Sequence, residues 1–240
     1  MLLTHVVIPG LAVLLGAYVQ SSIGFGVAVV AAPVVVLAAP ELMPGSMLVC
    51  GVLVPIMTLM GGPREIARGP LSWSLAGRLL LTPFGVWAVS VLSPRAIGVA
   101  VGILVLGAVA LSLTSIDVRP TSRMTFSAGA VSGISGTAAS IGGPFLALTL
   151  QHEKPVRVRS TLAAFFMVGA MLSLAALAVG GQLTWPQLRY GAAWTPFLLA
   201  GHLVAGPTKR LLDANRLRAA TLALATLASL VVILRAALAR

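Results

Sequence analysis

Two stretches of the sequence decide its fold, QSSIGFG at Gln20–Gly26 and SGISGTAASIGGP at Ser132–Pro144. Each interrupts an apolar run of membrane length with glycine and serine, and proline follows both breaks, at Pro33 and at Pro144. Backbone that leaves the helix inside a bilayer exposes N–H and C=O groups, which are tolerated only inside protein or beside a water-filled cavity. Broken apolar segments at matching positions of two halves are therefore typical of the central binding sites of transporters.

The composition predicts an all-α polytopic membrane protein. Of the 240 residues, 58% are hydrophobic and 9% are charged, whereas soluble domains carry about 25% charged residues. The only cysteine is Cys50, which excludes an intrachain disulfide and a cysteine-based metal cluster. We expect no cofactor and no metal site, and we leave homo-oligomerisation open.

The net charge of +11 indicates membrane orientation rather than nucleic-acid binding. Most Lys and Arg residues lie in short segments between apolar runs, where positive charge sets the direction of insertion. The first of them is Arg64, so the first apolar run lacks the charged start of a signal peptide and is expected to be mature structure. The predicted partners are the lipid bilayer and a small anionic substrate, with no nucleic acid.

Eight apolar runs divide the chain, at about 5–38, 46–62, 72–92, 95–116, 124–150, 158–180, 187–206 and 214–238. The first is too long for a single span of about 20 residues, and the first and fifth contain the breaks. Two topologies fit this pattern. Either all eight runs cross the membrane, or the two broken runs are re-entrant hairpins that return to the face they entered.

Positive charge favours the hairpins, because Lys and Arg concentrate in cytoplasmic loops. Eight crossings divide the 16 basic residues 8 to 8 between the two faces, and two hairpins divide them 12 to 4. The hairpin topology places both termini outside the cytoplasm. Arms of about 11–12 residues around the second break would be roughly 17 Å long, close to half of a hydrocarbon core, so we expect that turn near the midplane.

Further matches indicate that residues 1–119 and 120–240 are two copies of one unit. Trp73 recurs as Trp185, 112 residues later, and Thr82–Phe84 recurs as Thr195–Phe197, 113 residues later. Each unit would contain one broken, re-entrant helical hairpin and three transmembrane helices. Because three crossings end on the face opposite to the start, the second unit would be inverted relative to the first, a plan that recurs in transporters.

The two breaks predict an anion site. Where a half-helix begins, its first N–H groups lack intrahelical partners and carry the positive end of the helix dipole, and glycine admits a ligand close to the backbone. All five acidic residues lie in the loops between apolar runs, which favours an anion over a cation. The predicted substrate-binding residues are Gln20, Ser22, Gly24, Phe25, Gly26, Ser135, Gly136, Thr137, Ser140, Gly142 and Gly143.

Polar residues elsewhere in the runs receive a different interpretation. Arg78 lies one or two turns inside the run 72–92, and we expect it to snorkel to the cytoplasmic surface. His202 is expected to be packed or interfacial, and its counterpart in the first unit is Val89. Gly98 and Gly102 are expected to serve only the close approach of helices.

The glycine motifs at 24–26 and 133–136, with Pro33 after the first and 142–144 after the second, resemble those of the TauE/SafE sulfite exporter family. The resemblance covers nearly the whole chain, although Val27–Val29 stand where further glycines are common in the family. It implies a transporter of sulfite, sulfonates or other small organic anions in the bacterial inner membrane, rather than an enzyme.

Two other functions compete with transport. The stretch 133–136 also resembles the nucleophile motif of rhomboid intramembrane proteases, in which Ser135 would need a histidine, here His202, to activate it. A protease gives no reason for the second break at 20–26. A non-transporting membrane scaffold would need neither break.

Overall fold

The computed structural model describes residues 2–23, 26–62, 64–113, 121–208 and 214–238, and their regular secondary structure is entirely helical. This confirms the all-α prediction. A π-helical turn at Leu3–Val7 and a 3₁₀ turn at Pro40–Leu42 lie at the two ends of the first hairpin. The α-helices are α1 (Ile8–Ile23), α2 (Val27–Ala38), α3 (Gly45–Met60), α4 (Arg68–Val91), α5 (Pro94–Leu113), α6 (Ser122–Ala139), α7 (Gly143–Thr149), α8 (Pro155–Val179), α9 (Trp185–Ala193), α10 (Thr195–Thr208) and α11 (Ala214–Leu238).

The helix lengths are those of a multi-pass membrane protein. Within the described residues, five helical segments are long and apolar enough to cross a bilayer: Leu3–Ser22, Arg68–Val91, Pro94–Leu113, Pro155–Val179 and Arg216–Leu238.

Two helix boundaries differ from those of the apolar runs in ways that matter for the site. α4 begins at Arg68 because Pro70 is well suited to a first helical turn. The run 187–206 divides into α9 and α10 at Trp194, since Pro196 has no N–H for the helical ladder.

α1 and α2 form a hairpin whose outer ends lie together. Nε2 of His5, in the turn before α1, is 2.8 Å from Oε1 of Glu41, which follows α2. The segment Leu3–Ser22 has 20 residues, but α2 has only 12, which is roughly 18 Å of helix. The hairpin therefore has one arm of spanning length and one arm that covers little more than half of a hydrocarbon core of about 30 Å.

α6 and α7 form the second hairpin, and its arms are more unequal still, with 18 and 7 residues. The expectation of two equal arms is wrong, because the glycine- and serine-rich residues up to Ala139 remain helical. Ser135 donates its hydroxyl to the carbonyl of Val131 within the helix. The helix ends only at Ser140, where φ is 61°, and the Ser140 hydroxyl donates to the carbonyl of Pro44 ahead of α3.

Helix pairs in one half of the chain have counterparts in the other. α1 packs along α10, and α6 packs along α4. Both pairs run parallel: a Cβ on Gly10 would meet the Phe197 ring, and further along both helices Ser21 reaches His202. In the α4–α6 pair, residues near Ser74 oppose Gly129, and residues near Gly85 oppose Thr137.

The two remaining large pairings are antiparallel. In α3 and α8, Leu48 shares an apolar cluster with Leu177, while Thr58 and Ser160 line one cavity. In α5 and α11, Gly98 faces Val232, while Arg218 donates to the carbonyl of Ser112.

Because of these helix directions, the connections between the long helices lie at two opposite ends of the bundle. We call the end where α3 finishes and α4 and α8 begin the basic end. Among the described residues it carries Arg64, Arg68, Arg123, Lys154, Arg157, Arg159, Arg216 and Arg218, whereas the opposite end carries Arg95, Arg189 and Arg235. Basic residues therefore concentrate at the end where the second hairpin begins.

Glycines allow the closest helix contact, between α4 and α6. A Cβ at Gly77 would collide with the carbonyl of Phe126, and a Cβ at Gly129 would collide with the carbonyl of Ser74. Lipid is as apolar as leucine, so helices in a membrane associate through close packing rather than through a hydrophobic driving force. The expected packing role of Gly98 and Gly102 is also seen, since Cβ atoms there would press on α2 and α11.

Replacing Gly129 by alanine should destabilise the folded protein, because the added methyl group forces α4 and α6 apart and overpacking typically costs about 1–3 kcal/mol. Thermal unfolding in detergent measures the effect as a lower Tm. Gly107→Ala in α5 is the matched control, because a Cβ there meets nothing within 4 Å. Equal Tm values for the two variants would contradict the packing described.

Candidate functional site

A cavity of about 70 Å³ lies between the two breaks. A single water needs about 10–15 Å³, so the cavity has room for several waters or for one small polyatomic anion. Its walls come from both halves of the chain: the first break with the start of α2, the side of α3, the middle of α4, the second break, and the middle of α8.

The start of α2 forms one wall. Gly26 precedes the helix with φ 138°, a conformation that favours glycine. The N–H of Val27 donates to Oε1 of Gln20 at 3.1 Å, and the backbone ladder of α2 begins with the N–H of Val30. Ala28 and Val29 lie between these two bonds and line the cavity, so the positive end of the α2 dipole is directed at it.

The second break forms the facing wall. The hydroxyl of Ser132, in α6, donates to the carbonyl of Gly142 and so fixes the chain where it turns back into α7. A Cβ on Gly142 would lie 3.2 Å from Nη1 of Arg78, and a Cβ on Gly143 would lie 2.7 Å from the Phe166 ring. Glycine at these two positions therefore leaves the space that the neighbouring side chains and the cavity occupy.

Arg78 is the only charged residue among the described residues that line the cavity. It is the eleventh residue of α4, roughly 15 Å from the helix start and so half of a hydrocarbon core away. Its exposed fraction is 3%. The expectation that Arg78 snorkels to the surface is wrong, because α4 begins four residues earlier than the apolar run and places Arg78 three turns deep.

The guanidinium of Arg78 is held by α8. Its Nη2 donates to Oγ of Ser173 at 3.3 Å, and Ser173 is in turn 2.8 Å from Oγ1 of Thr137. The guanidinium carbon lies 5.1 Å from the centre of the Phe165 ring, within the range of a cation–π interaction. Nε, which is also buried, has no hydrogen-bond partner.

The charge of Arg78 has no counter-charge at the site. None of the described residues that line the cavity is acidic. Glu41 pairs with His5 and Glu153 pairs with Arg157, both at the ends of the bundle. An unpaired ion inside a protein costs several kcal/mol even after relaxation and water penetration, and a negative charge in the cavity would offset part of this cost.

The structure brings together six of the eleven predicted substrate-binding residues around the cavity: Gln20, Gly26, Gly136, Ser140, Gly142 and Gly143. Ser22 and Ser135 instead donate to carbonyls one turn earlier in their own helices. Thr137 contacts Ser173 and thereby supports Arg78. Gly24 and Phe25 lie outside the described residues.

Arg78 is not among the residues predicted to bind the substrate, although the sequence carries a signal for it. Ionisable residues inside an apolar run mark functional sites by default. Snorkelling was expected only because the helix was assumed to start at residue 72, which would place Arg78 near the surface. Cys50 is also absent from the predicted residues, although it lines the cavity from α3 and is fully buried. No pattern in the sequence sets this cysteine apart from its apolar neighbours.

The serine and histidine of the protease hypothesis have different partners. The Ser135 hydroxyl donates to Val131, whereas Nδ1 of His202 lies 2.7 Å from Oγ of Ser21, across the α1–α10 contact. His202 is half-buried and lines a cavity toward the basic end, together with Ser21. The geometry thus provides no activated serine at position 135.

Two broken hairpins around a buried cavity that is lined by an arginine are typical of one class, the helical membrane transporters. Within that class, the chain belongs to the TauE/SafE sulfite exporter family, whose model matches residues 10–232, nearly the whole chain. No curated protein and no solved structure gives a significant match. Family membership makes the chain a membrane transporter of sulfur-related anions, in agreement with the resemblance of its glycine motifs.

Gly26→Ala should reduce anion flux at least tenfold, because alanine in this conformation costs on the order of 1–3 kcal/mol and rotates the start of α2 away from the cavity. Gly181→Ala is the matched control, since Gly181 also has a positive φ, of 67°, but has open space around it and lies away from the cavity. Flux into liposomes, normalised to the inserted protein, measures both. Equal losses of flux in the two variants would mean that backbone strain alone causes the effect.

Proposed function

We propose that this protein carries sulfite or a small sulfonate across the membrane by binding it in the central cavity between Arg78 and the start of α2. The observation that supports this most directly is the buried guanidinium of Arg78, which is the one charged group among the described residues that line the cavity. A guanidinium presents parallel N–H donors that match two oxygens of an oxyanion. The exposed N–H groups at the start of α2 offer further donors to the same ligand.

One fixed cation favours a singly charged substrate. The residue 112 positions after Arg78 is Tyr190, so the second half contributes a neutral side chain at the matching position. An anion with one negative charge leaves the occupied cavity neutral, whereas a dianion leaves a buried net charge with its desolvation cost. We therefore expect bisulfite and sulfonates to be preferred over doubly charged sulfite.

The proposal includes two inverted repeats, divided near residue 120. The directions of the helix pairs support it. If the halves are related by a two-fold axis in the membrane plane, a helix that meets its own counterpart must run antiparallel to it, as α3 does to α8 and α5 does to α11. A repeat related by an axis along the membrane normal would make these pairs parallel.

Positive charge supports a cytoplasmic position for the basic end, which would place both termini on the outside of a bacterial inner membrane. An inside-negative potential then favours outward movement of a monovalent anion, because about 2.3 kcal/mol is available per charge per 100 mV. That energy corresponds to roughly a 50-fold gradient. Export can therefore proceed without a coupled ion, and we propose export as the direction.

Purified protein in liposomes tests the proposal. Sulfite, a small sulfonate and a small carboxylate are each loaded, and efflux is compared with that from protein-free liposomes under an imposed potential. We expect efflux of sulfite and the sulfonate at pH values where the singly charged form dominates. Movement of the carboxylate alone would refute the substrate class, and absence of any movement would refute transport by this chain.

Arg78→Gln should lower sulfite flux by about 10- to 100-fold, because hydrogen bonds to a charged group contribute about 1.5–3 kcal/mol and about 1.4 kcal/mol is tenfold. Arg78→Lys keeps the charge but loses the planar donor pair, so its flux should be intermediate. Arg157→Gln is the control, since Arg157 pairs with Glu153 at the basic end. Wild-type flux in Arg78→Gln would exclude Arg78 as the anion-binding group.

A further inference from the structure

A second cavity opens between the central cavity and the basic end. Its volume is about 210 Å³, and it lies where α3 and α1 finish and α8 begins. Polar side chains line it: Ser21, Thr58, Arg159, Ser160 and His202. Gln20 of the central cavity precedes Ser21 directly in α1, so the two cavities are neighbours along the same helix.

The corresponding region at the opposite end is packed with apolar side chains. Leu48 and Leu177 are buried there, with Val86, Val89 and Leu174 against them. By the offset of 113 residues between the two copies of Thr-Pro-Phe, Val89 is the counterpart of His202. The first half of the chain thus places Val89 in this apolar cluster, which we call the apolar plug. The second half places the imidazole of His202 in the second cavity instead.

The same contrast holds at two further positions. Ser46 and Ser160 are matched at an offset of 114 residues, which pairs Arg159 with Gly45 and Thr58 with Leu172. Arg159, Thr58 and His202 therefore have non-polar counterparts, whereas Ser160 is matched by another serine. The difference is built into the sequence and does not depend on which conformation the protein adopts.

Arg159 supplies the charge of this cavity. It is half-buried, and no acidic residue lines the cavity with it among the described residues. Arg157, two residues earlier and on another face of α8, is paired with Glu153 at 3.3 Å and does not line the cavity. Two arginines of the same helical turn thus have different surroundings, one neutralised and one free to attract an anion.

We propose that the second cavity is an antechamber, a separate anion-binding site on the cytoplasmic path to Arg78, in which Arg159 and the Ser21–His202 pair hold the small oxyanion before it enters the central cavity. This rests on the proposed transport function. An exposed or partly screened charge at the mouth of a site raises the local concentration of its ligand and speeds association. Arg159 therefore sets the anion concentration at which transport is half-maximal, whereas Arg78 is required for transport itself.

Sulfite flux as a function of concentration tests the antechamber, with the full-length protein in liposomes. Arg159→Gln should raise the half-saturating concentration about tenfold and leave the maximal rate within about twofold of wild type. Arg159→Lys should restore the wild-type value, because charge rather than fork geometry attracts the anion. Raising the ionic strength should diminish the difference between Arg159→Gln and wild type, since screening weakens the effect of the charge. Arg157→Gln is the matched control and should equal wild type.

A second pair of variants tests the same cavity without altering Arg159. Thr58→Glu adds a negative charge and should raise the half-saturating concentration above that of Thr58→Gln, which has the size of glutamate without its charge. The antechamber is refuted if wild type transports sulfite but Arg159→Gln behaves like Arg157→Gln, or if Thr58→Glu behaves like Thr58→Gln. Failure of wild type itself to transport any anion is a different result, which refutes the proposed function.

Discussion

An unpaired guanidinium in the interior is the constraint on which the rest of this structure depends. Burial of Arg78 without a carboxylate would be strongly unfavourable in a fully packed core. The surrounding helices offset only part of this desolvation cost, through the hydroxyl of Ser173 and the ring of Phe165. The side chain borders the cavity, and none of the described residues around that cavity supplies a carboxylate. The two breaks are explained by the same requirement, because unwound backbone and a helix start supply partners for a ligand that a continuous helix would withhold.

The contact that stabilises the bundle also positions this charge. Gly133 of α6 packs against the carbonyl of Arg78 itself, and Gly136, one turn later, leaves the room that the guanidinium fills. The glycine- and serine-rich stretch of α6 thus has two roles along its length: its first part is a helix-packing surface against α4, and its last part borders the cavity. Thr137 connects the two by bonding to Ser173, the hydrogen-bond partner of Arg78.

The sequence allowed much of the fold to be predicted, because apolar runs and their polar interruptions carry strong signals in a bilayer. The helices, both breaks, and the face of α2 around Gly26 follow from such local patterns. The depth of Arg78 did not, since it depends on where α4 begins, and Pro70 in the first turn was the weak local signal for that start. The persistence of α6 to Ala139 was also missed, because Gly and Ser stop a helix in water but can line a close helix contact in a membrane. Residues such as Thr137, whose role depends on a partner 36 positions away, lie beyond any local pattern.

If the two halves are inverted repeats, as proposed, their unlike linings account for how such a protein would favour one direction of movement. The paired helices of the two halves meet in related ways, yet Arg159, Thr58 and His202 stand where the other half has Gly45, Leu172 and Val89. A related backbone allows either end to open, because the same contacts can form at both. The linings differ, so a charged solute meets an attractive surface at the basic end and an apolar plug at the other. Where the backbone repeats, the side chains alone distinguish the face at which an anion is captured from the face at which it is released.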